Sequence, residues 1–195
     1  NSQEIANTLW SLCALQHSPD AVLGLLPELA RFSLPDWSDE GLSQLHLTQL
    51  SVALEQPTHA SVLPTDLASV ARSVFTKLLK DAESSKLHMS VSRALDGMGR
   101  AHLNEHVAGG LSVDIALPDP ETGCEGGVVV EVDGPSHFST DGSRRLLGHT
   151  RFKHRLLEQQ GWRVVSVPYF EWYPLRGEEQ ARYLREKLAL AGEEI

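Results

Sequence analysis

The sequence predicts an α/β fold of the α+β kind, a mixed sheet flanked by helices and preceded by an all-α segment. Three observations carry this. Apolar residues alternate with period two at 111–117, 128–133 and 163–168, the pattern of strands whose successive side chains face opposite sides. Between the last two runs, Leu146, Phe152, Leu156 and Leu157 recur at about 100° per residue, as on one stripe of a helix. Upstream, residues 1–56 repeat Leu and Ala at helical spacing.

Each element follows from local signals. Ile5, Leu9, Leu12 and Leu15, with Ala6 and Cys13 beside them, make an amphipathic helix that Ser18-Pro19-Asp20 ends and re-caps. Ala21 to Arg31 is a second helix that Pro27 shortens or kinks, and a third begins after Ser38. The stretch 57–64 combines two prolines with small polar residues and reads as a linker. Asp66 to Leu79 and Lys86 to Met98 are helices, the latter ending near Gly97-Met98-Gly99. Leu103 to Val107 is a first strand, Gly109-Gly110 its turn, and Gly177 to Leu190 a closing helix. His102, Asn104, Glu105 and His106 cluster at the entry to the sheet as candidate rim residues.

Composition narrows the function classes. The 195 residues are 41% hydrophobic and 22% charged, as in globular domains with a real core. Cys13 and Cys124 give neither a disulfide framework nor metal-ligand spacing, so a reducing compartment is expected. No apolar run approaches the ~20 residues of a membrane-spanning helix, and no membrane partner is expected. The net charge of −9 argues against indiscriminate polyanion binding. It is unevenly spread: residues 1–60 hold only Arg31 against seven acidic residues, whereas 143–163 holds Arg144, Arg145, Arg151, Lys153, Arg155 and Arg163 against Glu158. A nucleic acid, if bound, belongs on the C-terminal half.

The chemistry-bearing residues lie on the strands. In Val-Val-Val-Glu-Val-Asp-Gly, residues 128–134, Glu131 and Asp133 leave one face while Val128, Val130 and Val132 fill the other. In 111–117, Leu111, Val113, Ile115 and Leu117 take one face, so Asp114 joins the two carboxylates if the strands are neighbours. Three such groups repel unless a cation or basic side chains compensate, and hard divalent ions take oxygen ligands of this kind. In the helix that follows, Lys153 and His149 fall within the apolar stripe and aim at the sheet. Arg151, His154, Arg155 and Glu158 fall on the solvated side. After the last strand, Tyr169, Phe170, Trp172 and Tyr173 could stack on unpaired bases or seal the sheet.

The ordered set Ser-Val-Asp-Ile-Ala, Val-Glu-Val-Asp-Gly-Pro-Ser-His-Phe, Leu-Gly-His-Thr, Lys-His-Arg-Leu-Leu, Gly-Trp-Arg-Val-Val-Ser-Val-Pro-Tyr and Glu-Trp, from Ser112 to Trp172, resembles a RAP domain. RAP domains occur in FAST-kinase-like and octotricopeptide-repeat proteins of organelles and are similar to the PD-(D/E)xK nuclease superfamily, particularly its very-short-patch-repair endonuclease branch. The resemblance implies a nuclease-like core over 65–195, the linker 57–64, and in 1–56 the end of a helical-repeat region, where Asn7-Thr8-Leu9-Trp10-Ser11-Leu12 is similar to part of one repeat. Repeats need neighbours to bury their faces, so further units are expected upstream. Because the chain starts at Asn1 rather than Met, any targeting segment escapes reading.

It further implies RNA as partner and a role in RNA processing, RNA stability or translation. The expected setting is a mitochondrial, or alternatively chloroplast, ribosome or RNA-processing complex. Carried onto this chain, the nuclease motif falls on Asp114 and Glu131-Val132-Asp133, with Asp133 where the superfamily has Lys and Lys153 as a relocated cation. The alternative function is thus a metal-dependent endoribonuclease. Asp114, Glu131 and Asp133 would hold Mg²⁺ or Mn²⁺, and Lys153 and His137 would complete the catalytic set. Arg144, Arg145, His149, Arg151, Arg155, Tyr169 and Trp172 are the candidate RNA contacts. A second alternative is a non-catalytic protein-interaction module.

Overall fold

The computed structural model describes residues 1–59, 62–79, 85–119 and 123–192. They form two compact units, residues 1–81 and 82–195.

The first unit is helical. Helix α1 (Ser2–Ala14) starts at a capping box in which the Asn1 side chain accepts from Glu4 N and Glu4 reaches back. Helix α2 (Pro19–Leu25) stops early and continues as a 3-10 segment, Leu26–Arg31, because Pro27 has no N–H for an α-helical bond. Helix α3 (Asp39–Glu55) is capped by Ser38, whose Oγ accepts from Gly41 N at 3.0 Å. Leu9, Ala6, Leu42 and Leu45 are buried as α1 packs on α3.

Helix α4 (Thr65–Leu79) packs on α3, with the His46 and Phe75 rings 4.7 Å apart, so it belongs to this unit. The stretch expected to be a linker is tied to α3 as well: Val62 N and Leu63 N both donate to Gln49 Oε1, at 3.1 and 3.0 Å, and Leu63 is buried. Its prolines mark a turn held by side-chain hydrogen bonds, and Ala60 and Ser61 lie outside the described residues.

The second unit is the mixed α/β body. Helix α5 (Lys86–Gly97) leads into β1 (Leu103–Ala108), β2 (Leu111–Asp119) and β3 (Gly123–Glu131), an antiparallel succession. Gly109 and Gly110 turn β1 into β2 with φ of 54° and 80°, the double left-handed backbone of a tight hairpin. Helix α6 (Gly148–Gln159) then carries the chain to β4 (Arg163–Ser166), which pairs parallel with β3. The sheet order is β1-β2-β3-β4. The parallel ladder runs past the strand ends: Val167 N donates to Glu131 O, Asp133 N to Val167 O and Tyr169 N to Asp133 O. A single turn, α7 (Tyr169–Trp172), and helix α8 (Glu178–Leu190) close the unit.

The sheet is covered on both faces. Ile115, Leu117, Val128, Val130, Val132, Val165 and Val167 pack with Leu87, Val91 and Leu95 of α5, Leu184 and Leu188 of α8, and Trp172. The opposite face receives α6, whose Phe152, Leu156 and Leu157 are buried. Alternation along β3 therefore sends Val130 into the first core and Glu131 beneath α6.

Candidate functional site

Register brings the carboxylates together. Ile115 lies opposite Val130 and Ala116 opposite Val129, so Asp114 and Glu131 meet across β2 and β3 on one face. Asp114 Oδ2 accepts from Val132 N at 2.6 Å. Glu131 is 1% exposed, and its Oε2 takes an ion pair from Lys153 Nζ at 2.6 Å. Asp133, fully buried, accepts from Ser166 Oγ and lies with Oδ1 3.0 Å from His137 Nδ1. Asp114, Glu131, Asp133, Lys153 and His137 thus form one connected group.

Each carboxylate is tuned differently. Burial pushes Glu131 up to about 7, against the pull of the Lys153 ammonium. Asp114 is likewise raised, chiefly by burial, although the Val132 N–H favours its ionised form. Burial pushes Asp133 up too, but the hydrogen bonds from His137 and Ser166 outweigh it and hold the carboxyl below its ordinary value. The same contact with Asp133 raises His137. The group therefore combines an Asp133 held in its ionised form with a Glu131 and an Asp114 that burial draws toward protonation, the Lys153 side chain paired with Glu131.

Helix α6 supplies these partners in a way that corrects the helical-wheel expectation. Lys153 does face the sheet, but His149 is exposed, its ring centroid 6.1 Å from that of His137. His154, expected on the solvated side, is instead partly buried with Nε2 enclosed, and desolvation lowers its pKa. Thr150 is also buried, with Oγ1 3.4 Å from His137 Nδ1. Thr150, Lys153 and His154, at i, i+3 and i+4, share the face presented to the carboxylates and His137. That spacing is legible in the sequence. Ser166 is not, since nothing in a lone Ser within an apolar strand signals its contact with Asp133.

The basic surface is an outgrowth of this group. From Asp133 the chain passes His137, bridges Phe138 to Leu146, and enters α6, so the loop holding Arg144 and Arg145 is anchored at the buried cluster. Arg144 is exposed, with its guanidinium 4.6 Å from the Phe170 ring centroid. Arg145 is exposed and pairs with Asp141 at 3.1 Å; contacts from Ser143, first of all, hold the Asp141 carboxyl far below its usual range. Arg151 is exposed, and Arg155 lies over Phe152 at 5.0 Å.

The aromatic candidates divide. Tyr169 is half-buried among Phe138, Phe170 and Tyr173, at centroid distances of 5.9, 5.3 and 6.1 Å. Trp172 is 1% exposed in the core and donates Nε1 to Ser90 Oγ at 3.1 Å, so it offers no face to a base. Tyr173 is 54% exposed, and Phe170 is partly so.

Taken together, the second unit is a mixed α/β domain with a buried carboxylate–lysine group beside an arginine-bearing loop. Its residues 130–187 match the RAP domain model, and the chain carries a RAP domain. It is 32% identical over 199 residues to a chloroplastic RAP domain-containing protein of rice (Oryza sativa subsp. japonica), an alignment covering 97% of this chain and 30% of that protein. It is 48% identical over 50 residues to mouse mitochondrial FAST kinase domain-containing protein 5, covering 24% of this chain and 7% of that one. The chain thus spans under a third of the rice relative's length.

Proposed function

We propose that this chain binds RNA through its RAP domain and acts in the processing, stability or translation of organellar transcripts. The observation that carries the reading is a separation of charge by depth. Glu131 and Asp133 are buried, paired with Lys153 and with Ser166 and His137, while Arg144, Arg145 and Arg151 are exposed, Arg144 with its guanidinium over the Phe170 ring. A phosphate backbone meeting this loop and helix encounters guanidinium groups before the buried carboxylates, and the half-buried Phe170 offers an aromatic beside Arg144. An organellar setting is supported by the names of both relatives, chloroplastic for the longer match and mitochondrial for the shorter.

Replacing Arg144, Arg145, Arg151 and Arg155 by Gln is the direct test. RNA affinity should fall across unrelated sequences, and the slope of log affinity against log salt should shrink by roughly one for each phosphate no longer neutralised. Unchanged affinity in a folded variant favours the protein-interaction reading.

A second reading, phosphodiester hydrolysis, has its own support in the Lys153–Glu131 ion pair of 2.6 Å beside Asp114. Lys153 stands where a relocated motif lysine would neutralise charge developing on phosphate. Glu131 Oε1, buried and without a hydrogen-bond partner, and Asp114 make an oxygen donor pair suited to Mg²⁺ or Mn²⁺, which would polarise the phosphate and supply a nucleophilic water. Cleavage dependent on Mg²⁺ or Mn²⁺, abolished by EDTA and by Asp114→Asn or Glu131→Gln, is the expected result. Cleavage surviving both substitutions makes the carboxylates relics of the fold.

A further inference from the structure

A second cluster lies on the α5 side of Asp114 and uses residues that the RNA reading leaves idle. His88, on α5, is 2% exposed. Its Nε2 lies 2.8 Å from Asn104 Oδ1, an acceptor, so this ring nitrogen carries the proton. Asn104 is oriented in turn by donating through Nδ2 to Ser92 Oγ at 3.1 Å, and Ser92 meets His102 Nε2 at 2.8 Å. The other ring nitrogen, Nδ1, is buried without a hydrogen-bond partner and points at Glu105, whose Oε1 is 3.1 Å away outside hydrogen-bond geometry.

Glu105 is held there by an unusual backbone. Asn104 pairs with Ile115 and His106 with Val113, leaving Glu105 across from Asp114 in a break of the ladder with φ of +50°. A glutamate rarely adopts this left-handed conformation, which is strained and persists where the surroundings impose it. The result is that one ligand atom each from His88, Glu105 and Asp114 lies within 4.8 Å of the others. A lone pair of Nδ1 facing two carboxylates is repulsive unless a positive charge sits between them.

We propose that His88 Nδ1, Glu105 and Asp114 bind a divalent transition-metal cation, Zn²⁺ being the ion that best fits this mixed nitrogen–oxygen set. Three features support it. The 3.1 Å from Nδ1 to Oε1 matches the ~3.0–3.4 Å edge between ligands whose bonds to one ion are about 2.1 Å. The Nε2–H to Asn104 contact is the outer hydrogen bond that fixes the tautomer of a metal-bound imidazole. One neutral imidazole with two carboxylates favours Zn²⁺ over Mg²⁺, which prefers all-oxygen shells. Three protein ligands leave one position for water, as in zinc sites that stay open. The site draws on Asp114 but not on the arginines, so it stands or falls separately from RNA binding.

The test uses the full chain stripped with chelator and titrated with Zn²⁺ alone, with Mg²⁺ as control. One Zn²⁺ per chain is expected, with X-ray absorption at the zinc edge reading one imidazole nitrogen among oxygens. Glu105→Gly relieves the left-handed backbone and so should fold at least as stably, yet bind Zn²⁺ far more weakly. Asn104→Leu, which removes the outer hydrogen bond to His88 together with the contact to Ser92 while leaving all three ligands in place, should weaken binding roughly tenfold or more. The proposal is overturned if no Zn²⁺ binds. It is equally overturned if affinity is unchanged in Glu105→Gly and Asn104→Leu, which assigns any uptake to other histidines. A nitrogen-15 spectrum showing both His88 ring nitrogens protonated with Zn²⁺ present would make a proton, not a metal, the bridging charge.

Discussion

Trp172→Ala is expected to lower the stability of the second unit by about 3–5 kcal/mol, the range for truncating a buried large aromatic. The ring is 1% exposed, packs against the shared core of α5, α8 and the sheet, and meets Tyr183 edge-on at 6.0 Å. Its removal also leaves Ser90 Oγ without the indole N–H. A typical domain has only ~5–15 kcal/mol in total, so a variant with much of this unit unfolded at 37 °C is a reasonable outcome. Urea unfolding followed by far-ultraviolet circular dichroism measures it. The milder Trp172→Phe separates core from interface: RNA affinity should stay as in the parent chain, whereas Tyr173→Ala should reduce it. Several-fold weaker RNA binding by a natively folded Trp172→Phe would return this residue to the RNA surface.

Trp172 also shows where sequence reading stops. Strand periodicity located β2, β3 and β4, and the parity of Asp114 and Glu131 correctly put both on one face, because the two-residue repeat of a strand leaves no choice of side. The Gly109-Gly110 turn and the shortening of α2 at Pro27 were legible for a similar reason: each rests on the backbone chemistry of one residue type. Tyr169 to Tyr173 had no such constraint. A run of aromatics after a strand reads alike whether it seals a core or meets a ligand, and only the docking of α5 and α8 decides it.

The histidines failed for a related reason. The 100° wheel fixes relative positions on α6 but not the rotation of the helix against the sheet. A turn of the helix sufficed to exchange the expected places of His149 and His154. Glu105 was legible only as a rim residue, because its inward aim depends on a local break in pairing that no residue pattern announces. The repeat-like segment illustrates the opposite error: prolines near 57–64 suggested an interdomain joint, yet Gln49 and the packing of α4 on α3 hold that stretch to the helical unit.

Stability measured relative to Glu131→Gln is expected to rise as pH falls from 8 to about 4.5, opposite to the behaviour of a protein held by surface ion pairs. Glu131 is the main cause. Its folded value of about 7 exceeds the ordinary 4.5, so the folded chain binds this proton more tightly than the unfolded chain does. The stabilisation is fully present below pH 4.5 and is lost as pH rises through 7, and at 1.36 kcal/mol per unit it amounts to about 3 kcal/mol. Asp114, also raised by burial, acts in the same direction. So does His137, raised above 6.5 by Asp133, whose contribution is present below 6.5 and lost through its higher folded value. Asp133 and Glu171 are depressed and lose stabilisation only as pH falls below their ordinary values of 3.8 and 4.5, outside this window, whereas His46, His149 and His154, lowered by desolvation, bind protons less tightly when folded and oppose the rise as pH falls through 6.5. Denaturant titrations at half-unit intervals should therefore show the parent chain gaining stability toward acid relative to Glu131→Gln, which imitates the protonated carboxyl and keeps the histidine contributions. Lys153→Met should cost about 3 kcal/mol at pH 8, where Glu131 would otherwise be left charged and buried, and progressively less at pH 5, where protonation relieves it. A difference between the parent chain and Glu131→Gln that stays constant from pH 8 to 5, or a Lys153→Met penalty that does not shrink with acid, would mean that Glu131 is not the buried, proton-binding group described for this sheet.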